Sequence, residues 1–171
     1  NGFSAIGRQH LNRFLQDLCR EAGVRIEFGR TASSLDEFAG ADLIVEAVFE
    51  DSKVKAEVTA KVEAATDCIY ATNTSTLPIT GLAAASKRPE QFIGIHFFSP
   101  VDKMNLVEII RGKKTGDVAV AKALDFVRQI RKTPIVVNDA RFFYANRCII
   151  PYINEGIRMV AEGVEPALVE H

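Results

Sequence analysis

Four polar residues that could do chemistry stand in settings that would otherwise be core or turn: Asn73, Ser75, His96 and Glu108. His96 interrupts the apolar run GIHFFSP (94–100), and Glu108 interrupts LVEII (106–110). Burial of either side chain is costly unless it has a hydrogen-bond partner. We therefore ask first what these two residues can offer each other.

A hydrogen bond between His96 and Glu108 would satisfy both. An imidazole that donates its Nδ1–H to a carboxylate has a fixed tautomer and keeps Nε2 as a base. The two residues are about twelve positions apart across a proline turn, and such a connection allows two strands to lie side by side. The pattern fits equally well a solvent-facing glutamate on an edge strand and a separate hydrogen-bonded core histidine.

Asn73 and Ser75 lie in ATNTSTLP (71–78), just past a strand-like segment. In α/β sheets, the ends of strands present side chains to a ligand crevice. Turn capping is the alternative, because Asn, Thr and Ser bond nearby backbone groups and Ser75 is suited to N-cap the following short helix. The residue types alone favour capping.

Alternating helix and strand signals surround these residues. Strand-like runs are predicted at 24–28, 41–49, 68–73, 91–98, 106–110 and 133–138, and helices at 5–22, 51–65, within 77–86, 117–131 and 142–162. Gly23 supplies a stop for the first helix. Strands separated by helices imply crossover connections, which predict an α/β protein with a mostly parallel sheet.

Composition excludes several classes of protein. The 171 residues carry a net charge of −1 and are 47% apolar, which is ordinary for a globular protein and predicts no nucleic-acid partner. No apolar run approaches the roughly 18 residues of a membrane span. The three cysteines have no metal-ligand spacing, so we expect reduced thiols, no metal site and a cytoplasmic location.

Four ordered stretches resemble the L-3-hydroxyacyl-CoA dehydrogenases, especially the dehydrogenase part of the fatty-acid oxidation alpha subunits. They are ADLIVEAVFED, ATNTSTLPIT, IGIHFFSPVDKMNLVEII and FFYANRCIIPYINEGIRM, and the resemblance extends over about 34–170. It implies a partial doubly wound (Rossmann-like), mostly parallel sheet followed by the start of an α-helical C-terminal domain. The domains would be a truncated or chimeric NAD-binding-type unit at 1–138 and the helical start at 139–171.

This resemblance assigns catalytic roles to four residues. His96 would be the general base that takes the proton of the substrate's 3-hydroxyl, and an imidazole suits this because its unperturbed pKa is about 6.5. Glu108 would orient His96 and support its charge. Ser75 and Asn146 would hydrogen-bond the reacting oxygen.

The resemblance also implies that NAD is the cofactor and an L-3-hydroxyacyl-CoA the substrate. Glu50 and Lys55 would lie along the nicotinamide-ribose side of the cofactor, and Asn73 and Ser75 would complete that side. The product would be a 3-oxoacyl-CoA of fatty-acid beta-oxidation. The family leads us to expect a homo-oligomer or a part of a multifunctional complex.

Two departures from the family pattern concern the cofactor and the long helix. A dinucleotide turn needs G-x-G-x-x-G, and that spacing is absent from the eleven glycines. Residues 2–45 instead weakly resemble flavin-dependent aromatic hydroxylases. Before the long helix, Arg141 and Phe142 replace the small residues that are usual in the family.

These departures keep alternative functions open. One alternative is a non-catalytic remnant of the same fold that binds acyl-CoA or a protein, and turnover would distinguish it from the dehydrogenase. A fragment of a flavin-dependent hydroxylase is a weaker third hypothesis, because the chain lacks the glycine turn and the Asp-Gly element of that group.

Overall fold

A computed structural model describes residues 34–38 and 40–170, together with 20, 21 and 23. Most of the predicted helix at 5–22 and all of the predicted strand at 24–28 lie outside the described residues. Residues 20 and 21 are helical, and Gly23 has a φ of 75°, the left-handed conformation that ends many helices.

Five strands form one sheet in the order β1-β2-β3-β4-β5. Their bounds are β1 Leu43–Glu46, β2 Ile69–Thr72, β3 Phe92–Phe97, β4 Leu106–Arg111 and β5 Thr133–Asn138. All neighbouring pairs are parallel except β3 and β4, which are antiparallel. The prediction of a mostly parallel α/β sheet with a Rossmann-like arrangement is therefore confirmed.

The helices are α1 Ser52–Ala65, α2 Ile79–Leu82, α3 Asp117–Gln129, α4 Ala145–Ala161 and α5 Pro166–Val169. Asp51 starts α1 as its N-cap, because its carboxylate accepts hydrogen bonds from the N–H groups of Lys53 and Val54 at 2.8 and 3.0 Å. Asp117 in the first turn of α3 and Arg128 in its last turn both complement the helix dipole.

Side chains alternate between two faces of the sheet and form two cores. On one face, Ile69, Ile95 and Ile109 pack with Ala123 and Val127 of α3. On the other face, the described core is formed by Val62, Tyr70, Ile79, Leu82, Ala83, Phe92, Ile110 and Phe143. The strands therefore lie between α3 on one side and α1 with α2 on the other.

Gly94 of β3 allows α2 to approach the sheet closely. A Cβ atom at this position would lie 2.6 Å from Cδ1 of Ile79 and 3.0 Å from Cβ of Ile110. Both neighbours are fully buried, so a side chain here would overpack the core. Gly94 therefore fixes the distance between the sheet and the segment that follows β2.

The long helix begins later than the sequence indicates. Helical periodicity predicts a start at 142, but residues 141–144 form a turn and α4 begins at Ala145. Phe142 and Phe143 have φ values of 65° and 53°, which a helix excludes. The predicted start was wrong because contacts of this turn with the sheet, described below, override the local apolar pattern.

Candidate active site

His96 and Glu108 lie directly opposite each other on the antiparallel strands β3 and β4. Nδ1 of His96 is 2.8 Å from Oε2 of Glu108, and both side chains are buried. Because β4 lies between β3 and β5, Glu108 is not on an edge strand. Of the two arrangements that the sequence left open, the structure has the hydrogen-bonded pair.

The second carboxylate oxygen of Glu108 holds the start of α4. Oε1 accepts hydrogen bonds from the backbone N–H groups of Tyr144 at 2.9 Å and Ala145 at 2.8 Å. Burial raises the pKa of Glu108, but the bonds from His96 and from these two N–H groups outweigh burial and hold the pKa below its ordinary value. Glu108 is therefore an ionised, fully hydrogen-bonded carboxylate inside the protein.

An ionised Glu108 determines the tautomer of His96. The carboxylate can only accept, so Nδ1 carries the proton of their hydrogen bond and Nε2 of the neutral ring has a free lone pair. The ring contacts Phe98 and Phe143, with ring centroids 4.4 and 5.8 Å apart, respectively. The arrangement is an oriented base in an apolar setting, which is suited to take a proton.

Glu50 organises the loop that follows β2. It accepts hydrogen bonds from the hydroxyl of Thr74 and from the N–H groups of Ser75 at 3.0 Å and Thr76 at 3.3 Å. Partial burial raises the pKa of Glu50. The Thr74 hydroxyl, the nearby Lys55 ammonium and the loop N–H groups lower the pKa by more than burial raises it, so the net shift is downward. A single carboxylate on the neighbouring segment therefore shapes the loop around Ser75.

Asn146 connects this loop to α4. Its Nδ2 donates to the backbone oxygen of Ser75 at 3.0 Å. The adjacent N–H groups of Tyr144 and Ala145 bind Glu108, so one helix start contacts both the His96–Glu108 pair and the Ser75 loop. The structure thus gathers Ser75, Asn146, His96 and Glu108 around the beginning of α4.

The hydroxyl of Ser75 is exposed and has no hydrogen-bond partner among the described residues. Turn capping is carried out by Thr74, whose hydroxyl accepts from the N–H groups of Thr76 and Leu77. At the start of α2, the N–H groups of Ile79 and Thr80 donate hydrogen bonds to the carboxylate of Asp139 instead. The capping alternative for Ser75 is therefore wrong, and its hydroxyl is available to a ligand.

Asn73 joins the ends of three strands. Its N–H donates to the backbone oxygen of Glu46 at 2.9 Å, and its side-chain oxygen accepts from the N–H of Phe97 at 3.2 Å. Phe97 directly follows His96, so Asn73 fixes the strand end that carries the base. A direct contact of Asn73 with the cofactor remains a prediction.

Lys55 is only 2% exposed. Its ammonium lies 2.9 Å from Oε1 of Glu46 and 3.4 Å from Oε2 of Glu50. Glu46 is not among the site residues predicted from the sequence, although a carboxylate within the strand ADLIV-E-AV, nine residues before a lysine, was a visible signal. The buried Lys55 ammonium thus contacts the carboxylates of both Glu46 and Glu50.

An apolar groove of about 600 Å³ adjoins the base. Its walls include Phe98, Met104, Leu106, Tyr144, Ile149 and Tyr152. Phe98 also touches His96, and Asn146 lines the same groove. An apolar ligand in this groove would place one end beside the polar residues described above.

Within the described part of the chain, no cluster of His, Cys, Asp and Glu is placed to hold a metal ion. Among the described residues, no helix combines the length and the hydropathy that a membrane span requires.

Residues 7–140 match the family model of the 3-hydroxyacyl-CoA dehydrogenase NAD-binding domain. The chain belongs to this family. The match begins at residue 7 and so includes most of the segment that weakly resembles flavin-dependent hydroxylases. Members of this family are hydroxyacyl-CoA dehydrogenase-type oxidoreductases, and the cofactor of the matched domain is NAD.

Solved structures of family members resemble the whole fold. (S)-3-hydroxybutyryl-CoA dehydrogenase PaaH1 from Ralstonia eutropha is 31% identical, with a TM-score of 0.77 over 92% of this chain and 59% of that one. FadB2 from M. tuberculosis is 31% identical, with a TM-score of 0.75 over 96% of this chain and 63% of that one. The 3-hydroxyacyl-CoA dehydrogenase from Archaeoglobus fulgidus is 30% identical, with a TM-score of 0.76 over 96% and 56%.

The chain thus spans about three fifths of the length of these relatives. Another similar structure is FHMPC 5-dehydrogenase, described as an NAD+-dependent dismutase, at 27% identity and a TM-score of 0.78 over 96% of this chain and 59% of that one. Its substrate is a pyridine carboxylic acid, so the fold accepts more than one class of substrate.

The described residues include polar groups whose chemistry suits a ribose of NAD. The carboxylate of Glu50, 37% exposed, and the free Ser75 hydroxyl lie at the carboxyl ends of β1 and β2. Open α/β sheets bind their ligands at this edge, and a carboxylate suits the hydroxyl groups of a ribose.

Proposed function

We propose that the chain is the catalytic half of an NAD-dependent L-3-hydroxyacyl-CoA dehydrogenase, acting in fatty-acid beta-oxidation in the cytoplasm. The observation that carries this proposal is the buried hydrogen bond between His96 and the ionised Glu108, which leaves Nε2 as a base. The apolar groove beside the base suits an acyl chain.

In the proposed reaction, Nε2 of His96 removes the proton of the 3-hydroxyl group. The C3–H bond breaks at the same time, and a C3=O double bond forms. NAD, when bound, supplies the acceptor for the hydride that leaves C3. Glu108 stabilises the imidazolium formed, because its negative charge lies 2.8 Å from Nδ1 and the lowered pKa keeps that charge in place.

Ser75 and Asn146 are proposed to bind the oxygen of the reacting carbon. The hydroxyl of Ser75 has a proton to donate, and Asn146 uses only one of its two amide hydrogens to hold the Ser75 loop. Donors fixed in advance around an oxygen stabilise the charge that develops there.

The cofactor side is proposed to use Glu50 directly and Lys55 indirectly. Glu50 is partly exposed and would accept hydrogen bonds from ribose hydroxyls, whereas the enclosed Lys55 would hold Glu50 in place. Asn73 would hold the end of β3 beside the loop, because its side-chain oxygen accepts a hydrogen bond from the N–H of Phe97. The division at 138 and 139 follows the end of β5, and we propose it as the start of the helical domain.

The reverse reaction, the reduction of acetoacetyl-CoA by NADH, tests this function. It is followed by the loss of NADH absorbance. We expect turnover in the unaltered chain and a loss of at least about a thousandfold in His96→Gln, because the imidazole that takes the proton in the oxidation donates it to the 3-oxygen in this reverse reaction. Circular dichroism of the variant controls for folding.

Two outcomes would count against the proposal. An unchanged rate in His96→Gln would remove the base from the mechanism. A folded chain without turnover would favour the non-catalytic remnant, in which the same fold binds acyl-CoA without hydride transfer; acyl-CoA binding by calorimetry would then distinguish binding from inactivity.

A further inference from the structure

A second buried ionic cluster lies beside the proposed site but outside its catalytic residues. Glu46 is 6% exposed, and its carboxylate accepts hydrogen bonds from the Lys55 ammonium at 2.9 and 3.2 Å. It also accepts from the hydroxyl of Thr72 and from the N–H of Val48 at 2.8 Å. Each polar group of this cluster therefore has a partner.

The cluster arises from the register of two parallel strands. Glu46 and Thr72 are partners at the carboxyl ends of β1 and β2, and they face the side of the sheet that α1 covers. Lys55 lies one turn into α1, so its side chain reaches down onto both. A buried ion pair is weak support for stability, since apolar residues of equal volume often serve as well. We therefore look for a role of the Glu46–Lys55 ion pair other than stability.

The cluster leads directly to the Ser75 loop. The same Lys55 ammonium lies 3.4 Å from Oε2 of Glu50, whose other oxygen accepts from Ser75 and Thr76. Ser75 in turn accepts from Asn146. Among the described residues, this ammonium is the only side-chain cation within 4 Å of the partly exposed Glu50 carboxylate.

We propose that Glu46 is a positioning residue, which acts through Lys55 to fix the carboxylate of Glu50 and thereby the Ser75 loop. The proposal rests on the proposed function in that it assigns this loop to the nicotinamide side of the cofactor. Without Glu46, the ammonium keeps Glu50 as its sole carboxylate neighbour among the described residues and shifts toward it. The N–H groups of the loop then lose the alignment with the Glu50 oxygen that accepts from them.

The main test is Glu46→Gln, which removes the buried carboxylate charge at nearly equal volume and leaves Lys55 in place. Its first readout is the backbone amide signals of Ser75 and Thr76 in a ¹⁵N spectrum, which needs no cofactor. We expect both signals to move in the direction seen in Glu50→Gln, although Glu50 itself is intact. Unmoved signals would overturn the proposal.

Glu63 offers a matched control. It also accepts from a hydroxyl and two backbone N–H groups of a loop, those of Ser86, Lys87 and Arg88. Glu63→Gln should move the amide signals of Lys87 and Arg88 and leave those of Ser75 and Thr76 unchanged. If Glu46→Gln does not fold, Glu46→Asp keeps the charge, withdraws it by one methylene and should move the same two signals less.

The second readout is kinetic and separates positioning from stability. We expect KM for NADH to rise about tenfold in Glu46→Gln, with kcat changed by less than about threefold, because loop geometry for the cofactor is lost while the base is kept. Unchanged KM with only a lower melting temperature would overturn the proposal. Absence of turnover in the unaltered chain would refute the proposed function, whereas the amide signals would still test Glu46.

Discussion

At the scale of residues, Glu108 has three hydrogen-bond donors to satisfy. The Nδ1–H of His96 meets one oxygen, and the N–H groups of Tyr144 and Ala145 meet the other. Only a carboxylate presents two acceptor oxygens in this geometry. The buried charge is therefore required by its surroundings, and the same charge holds the base and the start of α4.

We expect Glu108→Gln to lower the free energy of unfolding by about 3 kcal/mol at neutral pH. The amide group has one acceptor oxygen, so its NH2 would face a donor and leave a buried group unpaired. Urea denaturation of both proteins measures the difference. Turnover should fall as well, because His96 loses its orienting partner.

The pH dependence of that difference has a definite sign. The pKa of Glu108 is lowered in the folded protein, so its contribution is fully present above the ordinary value of 4.5 and is lost as the pH falls through the folded pKa. The stability gap between the unaltered chain and Glu108→Gln should be constant from about pH 7 to about pH 5 and narrow at lower pH. A gap that stays constant down to about pH 2 would contradict the assignment.

At the scale of elements, the turn before α4 sets the position of the site. Phe143 is 2% exposed and packs against the ring of His96, while the next two N–H groups bind Glu108. These contacts hold Phe142 and Phe143 in the left-handed region, which is unfavourable for residues with a Cβ atom. Arg141 and Phe142 stand where small residues are usual in the family. The backbone at Phe142 nevertheless has a positive φ, which a glycine would adopt freely.

A pair of variants at Phe142 isolates this backbone effect. Phe142→Gly and Phe142→Ala both remove the ring and its contact with Arg141, but only glycine relieves the positive φ of 65°. We expect the glycine variant to be more stable than the alanine variant by about 1 kcal/mol, the reverse of their order within a helix. Urea denaturation checks this, and an alanine variant of equal or greater stability would contradict the strain.

At the scale of the whole molecule, α4 exposes a broad apolar surface. Its exposed side chains include Ile149, Ile150, Tyr152, Ile153, Ile157, Met159 and Val160, and none of its residues is buried. Exposed apolar patches of this kind usually mark contacts with another chain or domain. The surface is consistent with the homo-oligomer that the family resemblance implies, which remains a proposal.

We expect the chain to self-associate at micromolar concentration through this surface. The double variant Ile153→Glu with Ile157→Glu should shift the equilibrium toward the monomer by at least about tenfold, because it places charges in an apolar contact. Sedimentation velocity measures both. Val118→Glu, an equally exposed apolar position on α3, is the control that should change nothing. A monomer at all concentrations would contradict the prediction.

Local patterns in the sequence specify most of the strands and helices from residue 41 onward and the types of residue that carry the chemistry. Strand and helix periods depend on local alternation, so β1 to β5, α1 and α3 were predictable, and four ordered motifs indicated the family. His96 and Glu108 were recognisable because a polar residue in an apolar run requires a partner.

The partners of these residues depend on how the chain folds. The antiparallel register places His96 opposite Glu108, and a one-residue slip would have turned one of them to the other face. The start of α4 at Ala145 and the burial of Lys55 between Glu46 and Glu50 depend on contacts between segments far apart in the chain. Such contacts have no local periodicity, so the apolar patterns that predict strands and helices do not specify them.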